Sequence, residues 1–255
     1  MIENRVKRAL KEGKTVIGTM VTELRVPEVA RIIKAAGFDF MFIDTEHSSI
    51  GYETLAEIVR MGRGIELSSI VRVTDDEYHL IARVLDIGAQ GIMVPRVESP
   101  ERVRRVVSYV KFPPLGVRGF GSSATQTDYK KVSIKELVKI LNQETMIVTQ
   151  IERKQAIEHI EEIVSIEGVD AALIGPNDLS ISLGVPGETT SLVVRNAIQK
   201  VVDACKKYGK VSGIHTRNLQ ELLYWRDKGM RLLVYSTDTG LLIEAAKSVL
   251  AKLRA

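Results

Sequence analysis

Eight short apolar runs alternate along this 255-residue chain with segments of helical spacing, and that alternation constrains the fold more than any single motif. The runs cover Thr15 to Val21, Phe38 to Thr45, Leu67 to Val73, Gly91 to Arg96, Met146 to Ile151, Ala171 to Asn177, Val211 to Thr216 and Arg231 to Thr237. Helical spacing falls between them at Tyr52 to Arg60, Tyr78 to Leu85, Glu101 to Val110, Ala156 to Val164, Val193 to Lys207, Leu219 to Asp227 and Leu241 to Leu253. Strand followed by helix, repeated eight times, predicts an α/β fold of the (β/α)8 TIM barrel type. The runs are nearly continuous, as expected of parallel strands buried on both faces. Gly37, Gly88, Gly168, Gly209 and Gly229 each follow a helical stretch and precede a strand, where C-terminal capping glycines belong. Periodicity does not fix closure, so an open doubly wound sheet stays as the alternative.

No linker or internal repeat divides the chain, and residues 1–255 are expected to form one barrel domain. One connection is long: Lys111 to Ser133 carries Pro113, Pro114, Gly116, Gly119 and Gly121. Long loops are often functional. This one either covers the barrel mouth or makes an excursion at the bottom.

Composition excludes several classes. With 45% hydrophobic and 27% charged residues the chain can bury a sizeable core. Lys and Arg number 36 against 32 Asp and Glu, without a block of five like charges, so nucleic acid binding has no support. No run reaches the roughly 18–20 apolar residues of a membrane span, and the first residues lack an apolar signal core. The one cysteine, Cys205, fits a reducing compartment and a packing role. The expectation is a soluble, cytoplasmic protein with no membrane partner.

In a barrel the carboxyl ends of the strands share one pocket. Here they carry Asp44, Glu46, His47, Arg72, Arg96, Glu152, Asn177, Asp178, His215, Thr216, Thr237 and Asp238. Carboxylates beside imidazole and guanidinium, with no lysine at a strand end, suit a hard divalent cation and an anionic, oxygen-rich substrate rather than a Schiff base. Glu152 and Asp178 each follow an apolar run and are metal-ligand candidates, with helix capping as the competing role. His47 is the acid/base candidate and His215 a lesser one, while His79 and His159 lie in helical patterns. Arg72 can hold a carboxylate or a developing enolate oxygen, or serve as an internal ion-pair partner. Gly175-Pro176-Asn177-Asp178 opens a turn at a helix start, where free backbone N–H groups bind anions. Gly116 to Gly121 has a loose glycine spacing, but follows no strand and opens no helix, so it is not a dinucleotide fingerprint.

The stretches Gly37-Phe38-Asp39-Phe40 through Asp44-Thr45-Glu46-His47, Leu85 to Gly91 through Val94-Pro95, Gly116-Val117-Arg118-Gly119, Gln150-Ile151-Glu152 and Gly175 to Ser180 together resemble the HpcH/HpaI family of 2-keto-3-deoxy acid aldolases. The resemblance spans roughly residues 3 to 253. It implies a class II pyruvate aldolase of the phosphoenolpyruvate/pyruvate superfamily, dependent on Mg2+, Mn2+ or Co2+. Such an enzyme cleaves a 4-hydroxy-2-keto acid, a 2-keto-3-deoxy sugar acid or dicarboxylate, reversibly to pyruvate and an aldehyde. By matching motif positions, Glu152 and Asp178 hold the cation, Arg72 binds the keto oxygen, and Gln150 lies beside the substrate. His47, supported by Asp44 and by Asp86 of this or a neighbouring subunit, handles protons. The backbone at Gly175, Pro176 and Asn177 receives the carboxylate. The family also implies a homo-oligomer, a hexamer built from dimers. Thr45, Ser48 and the arginine-free stretch Ser122 to Asp128 depart from its pattern, which leaves the aldehyde open.

Three other readings remain at this point. One is a sugar-phosphate isomerase or epimerase with phosphate at Ser236 to Gly240, and one a related lyase acting on other keto or CoA-linked acids. The third is a non-catalytic barrel that binds a keto acid or a protein partner.

Overall fold

The computed structural model describes residues 3–121, 124–127 and 129–255, apart from the side chain of Ala124. In chain order the elements are α1 (Arg5–Lys11), β1 (Val16–Val21), α2 (Glu28–Ala35), β2 (Phe40–Asp44), α3 (Tyr52–Gly64), β3 (Ser68–Arg72), α4 (Tyr78–Ile87), β4 (Gly91–Val94) and α5 (Pro100–Val110). A 3-10 turn at Ala124–Thr127 precedes α6 (Ile134–Glu144), β5 (Met146–Ile151), α7 (Lys154–Glu158), α8 (Ile160–Ser165), β6 (Ala171–Ile174) and α9 (Pro176–Ser182). The chain continues with α10 (Leu192–Lys207), β7 (Val211–Thr216), α11 (Leu219–Asp227), β8 (Leu232–Thr237) and α12 (Asp238–Leu253). Each strand pairs in parallel with the next, and β8 pairs with β1, closing the barrel. The open-sheet alternative is thereby excluded.

Alternate strand residues feed two different cores, which is why the runs read as continuously apolar. Phe40, Phe42, Ile70, Met93, Val148, Leu173, Leu232 and Val234 point inward and fill the barrel, with Val6 and Leu10 of α1 plugging its lower end. Their neighbours Met41, Ile43, Val71, Ile92, Ile147, Ala172, Ile174 and Leu233 point outward and pack beneath the helices. Gly18 gives Phe40 its space: a Cβ there would lie 2.6 Å from the ring. The β1–β8 register shifts between Gly18 and Met20 at the same place.

Seven helical segments were expected and all are present, although Ala156 to Val164 divides at His159 into α7 and α8. The five capping glycines all have positive φ, from 64° at Gly209 to 110° at Gly88. α1, α2 and α9, of seven or eight residues each, lie outside the segments of helical spacing read from the sequence. α6 begins where the long loop was expected to end, with Ser133 accepting from the Glu136 amide at 3.2 Å, but buries only Leu137. The apolar run Ala171 to Asn177 is shorter as a strand, because Pro176 lacks an N–H and starts α9 instead.

The Lys111–Ser133 connection does not cross the mouth in its described part. Gln126 Nε2 donates to the Leu85 carbonyl at 2.9 Å, the Gly119 amide donates to the Tyr78 hydroxyl at 2.8 Å, and Arg118 pairs with Asp86 at 2.8 Å, so this part lies along α4 on the barrel's flank. Ser122, Ser123 and Asp128 of the arginine-free stretch are outside the described residues.

Gly213 tests the tightness of closure. A Cβ at this position on β7 would stand 2.2 Å from the Leu232 carbonyl oxygen of β8, which cannot rotate away. Gly213→Ala is expected to lower stability by about 1–3 kcal/mol in urea unfolding. Gly64→Ala, whose Cβ would meet nothing within 4 Å, is expected to change it by less than about 1 kcal/mol.

Candidate active site

The rim at the carboxyl ends of β2 and β3 is fixed by one buried ion pair. Register places Asp44 opposite Arg72. The guanidinium donates through Nε to Oδ1 at 2.8 Å and through NH2 to Oδ2 at 2.6 Å, a bidentate contact. The same carboxylate accepts from the amides of Glu46 at 2.9 Å and His47 at 3.4 Å, which shapes the turn after β2. Burial works to raise the Asp44 carboxyl, but the Arg72 bonds outweigh it and hold the group below the usual carboxylate range. Arg72 thus has both roles open to it in the sequence: it is an ion-pair partner, and its NH1 still points to Gln150 Oε1 and Glu46 Oε2, each at 3.4 Å.

Gln150 links this pair to the tip of β5. Its amide nitrogen donates to Glu152 Oε2, and Glu152 Oε1 accepts from the Arg96 backbone amide at 2.8 Å. Arg96 reaches that position with a φ of 51°, in the left-handed region. Glu152 is only 3% exposed and forms no salt bridge among the described residues. Burial, opposed by the Arg96 amide and reinforced by the negative charge of Asp178, pushes its carboxyl up to about 7. Asp178 lies in the first turn of α9 and is exposed. Gly175 closes the gap between β6 and Glu152: a Cβ there would be 2.8 Å from Glu152 Oε2 and 3.1 Å from Gln150 Nε2.

A buried carboxylate in no salt bridge among the described residues, with the Arg72 charge near but committed to Asp44 and a second carboxylate facing it, fits a divalent cation. Among the described residues no group of three His, Cys, Asp or Glu converges on a metal position. A cation here would draw on Glu152 and Asp178 and leave room for oxygen ligands from substrate, as hard cations prefer.

Glu46 is the residue the sequence reading left without a role. Its side chain is 8% exposed and takes Arg96 Nε at 3.1 Å together with the Arg72 contact, while burial raises its carboxyl despite these cations. Its place directly before His47 was visible, but not that it turns inward between two arginines. His47 itself projects outward with a side chain 71% exposed, Nε2 lying 3.7 Å from Glu46. Asp44 touches only the His47 backbone, so the expected Asp44 support of the imidazole is corrected: Arg72 occupies that carboxylate, and Glu46 is the acid beside the ring. Asp86 does not join its own chain's site, because it stands near the C-terminal end of α4, at the opposite end of the barrel, paired with Arg118.

The β7 and β8 ends are occupied by structural contacts. Asp238 accepts from the amides of Thr22, Glu23 and Leu24 at 3.2, 3.0 and 2.8 Å, and Thr237 Oγ1 caps Gly240 at 3.0 Å. The turn considered for phosphate is therefore filled by the chain's own oxygens, which argues against the isomerase reading. His215 Nε2 meets the Ser236 carbonyl at 3.1 Å, and its ring packs edge-on against Phe42. His79 and His159 sit in exposed pairs with Glu77 and Glu162.

Comparison with known proteins agrees with this geometry. Residues 20–245 match the model of the HpcH/HpaI aldolase/citrate lyase family. An HpcH/HpaI aldolase crystal structure from Desulfitobacterium hafniense superposes with a TM-score of 0.93 at 34% identity, covering 97% of this chain and 96% of that one. A hydroxypyruvate/pyruvate aldolase of Delftia acidovorans is 32% identical over 99% of this chain and 93% of its own length. The 2-keto-3-deoxy-L-rhamnonate aldolase of Salmonella gallinarum is 32% identical over 98% of this chain and 93% of its own. The relatives named as aldolases match over nearly the whole chain, so this barrel is an enzyme of the carbon–carbon lyase class. The chain belongs to the HpcH/HpaI aldolase/citrate lyase family.

Burial pushes the His215 imidazole down to about 4, well below the ordinary 6.5. The unfolded chain therefore takes up this proton first as pH falls. Stability is full above pH 6.5 and declines between 6.5 and 4, by up to about 1.4 kcal/mol per pH unit from this group. Urea midpoints across that window are expected to fall less steeply for His215→Asn than for the parent.

Proposed function

We propose that this enzyme is a divalent-metal-dependent class II aldolase that cleaves a 4-hydroxy-2-keto acid, a 2-keto-3-deoxy sugar acid or dicarboxylate, reversibly to pyruvate and an aldehyde. The observation that carries this reading is Glu152, a buried carboxylate without a salt bridge, raised toward neutrality and backed by Gln150 and the Arg96 amide. The names of the Delftia and Salmonella relatives support a 2-keto acid as substrate. We assign Glu152 and Asp178 as ligands for Mg2+, Mn2+ or Co2+. Such a cation, when bound, supplies Lewis-acid polarisation of the keto group and offsets the charge of the two carboxylates.

The remaining work falls to the chain itself. Arg72, immobilised by Asp44, offers NH1 to the keto oxygen, where negative charge develops as the C3–C4 bond breaks. Gln150 lies between Arg72 and Glu152, bonded to both, and fixes their separation. Gly175, Pro176 and the amides that follow receive the substrate carboxylate, Asn177 being exposed at this turn. His47, at the solvent edge beside Glu46, takes the 4-hydroxyl proton as the aldehyde leaves. The electron pair of the broken bond passes to the pyruvate fragment as an enolate, and protonation at C3 completes the reaction.

We further propose a homo-oligomer, hexameric as the family resemblance implies, in which Asp86 serves a neighbouring subunit's site. Leu242, Ile243, Val249, Leu250 and Leu253 of α12 are exposed together, as is Ile17 on the outer face of β1, and such apolar faces favour burial by another subunit. The cytoplasm is the proposed compartment, in keeping with the free, buried Cys205. Among the described residues no helix is long and apolar enough to cross a membrane.

Pyruvate release from a panel of 4-hydroxy-2-keto acids tests the reaction. EDTA is expected to abolish it and added Mn2+ to restore it, whereas Glu152→Ala stays inactive at every metal concentration. Arg72→Ala is expected to lower kcat about 10²–10³-fold, and His47→Ala about 10²–10⁴-fold. Full activity in EDTA would overturn the metal-dependent reading.

A further inference from the structure

The lower end of the barrel, remote from the site above, holds a cavity of about 300 Å³ between α1 and the first residues of β5 and β7. Met146 lines it, and β5 runs from Met146 to Ile151, so that Glu152, the next residue, stands at the other rim, roughly 20 Å away at a strand's rise per residue. The charge lining the cavity is lopsided: Lys7, Lys11, Lys210 and Arg231 face Asp170 alone.

Two of these cations are already engaged. Lys7 Nζ pairs with Asp170 at 3.0 Å and donates to the Thr145 carbonyl at 3.1 Å. Lys210 Nζ donates to the Val169 carbonyl at 2.7 Å. Asp170 is engaged as well, its Oδ2 accepting from the Ile147 amide at 2.9 Å. Lys11 and Arg231 have no hydrogen-bond or ion-pair partner for their side chains among the described residues. Arg231 is half-buried at the cavity wall beside Gly13, where a Cβ would come within 3.5 Å of NH1. The surplus positive field is felt nearby: burial, and after it repulsion from Lys7, pushes the buried Lys111 down to about 8. A concave cationic chamber with an uncommitted guanidinium differs from the solvated charge scattered over the outer helices.

We propose that this chamber is a second binding site, for a small dianionic oxyanion such as a phosphomonoester or a short dicarboxylate. Arg231 presents two parallel N–H donors to one oxyanion group, as guanidinium does for phosphate or carboxylate, and Lys11 closes the contact from α1. Lys7 and Lys210 contribute charge without leaving their carbonyls. The volume of about 300 Å³ admits a molecule of a few carbon atoms, at the end of the barrel opposite Glu152.

Calorimetry on the metal-loaded enzyme tests this, with glycerol 3-phosphate and succinate as separate probes and sodium chloride matching the ionic strength. The expected result is saturable binding, one per chain, of at least one probe, and the ratio of the two affinities tells phosphate from carboxylate preference. Lys11→Gln combined with Arg231→Gln is expected to weaken it at least tenfold. Asp178→Asn, altered at the opposite rim, is expected to leave it within twofold. Circular dichroism checks that the variants fold. If the double variant does not, a crystal of the parent soaked in the tighter probe is expected to show it against Arg231. No saturable binding of either probe, undiminished binding in the folded double variant, or density only at the other rim would each overturn the proposal.

Discussion

The Asp44–Arg72 pair is the interaction on which the functional rim depends. Two ionised groups this deeply buried lose their hydration, and a single bond between them would not offset that loss. Here the bidentate geometry, the amides of Glu46 and His47, and the contacts of Arg72 with Gln150 and Glu46 satisfy both partners. The register of β2 against β3 sets Asp44 and Arg72 side by side, and the Thr45 amide bonding to the Arg72 carbonyl at 3.1 Å extends that register past the strand. Backbone pairing and side-chain pairing therefore specify the same arrangement. Removing either ion would leave its partner buried and uncompensated, and would free the turn that carries Glu46 and His47.

From this pair a polar chain runs across the mouth, through Arg72 and Gln150 to Glu152, with Arg96 and Glu46 bracing it from β4 and β2. Each member limits the freedom of the next. The arrangement places a fixed cationic donor and a carboxylate without a counter-ion on opposite sides of one amide, a polarity suited to a substrate that is anionic at one end and gains negative charge at an adjacent oxygen. The exposed His47 belongs to a different environment, where proton exchange with solvent is unimpeded.

Much of this was legible before any coordinates. Parallel strands buried on both faces give unbroken apolar runs, and the return from each helix required a glycine with positive φ, so the strand count and the places of Gly37, Gly88, Gly168, Gly209 and Gly229 could be read directly. Strand ends could be read too, and with them the candidates Arg72 and Glu152, while Gln150 came only from the family resemblance. What sequence order does not encode is side-chain direction beyond a strand's last residue. Asp44 turns to Arg72 instead of the neighbouring imidazole, Glu46 folds inward although an exposed acid looks identical in a sequence, and Asp86 is bound by Arg118 from a loop 32 positions away. Helices α1 and α6 were not read from the sequence: α1 is short, with Val6 and Leu10 as its buried apolar residues, and α6 spaces Ile134, Leu137, Val138 and Leu141 helically but lies at the end of the long loop and buries only Leu137.

Gly175 carries a consequence for how such an enzyme can change. Its absent side chain is the space in which Glu152 and Gln150 sit, so the tip of β6 cannot acquire bulk without displacing both. Variation that alters the accepted substrate is therefore channelled elsewhere, toward the turn after β2, where His47 faces solvent. A library built to shift substrate preference would do best to leave position 175 fixed and sample that turn, because diversity there can reshape the entrance while the buried polar chain stays intact.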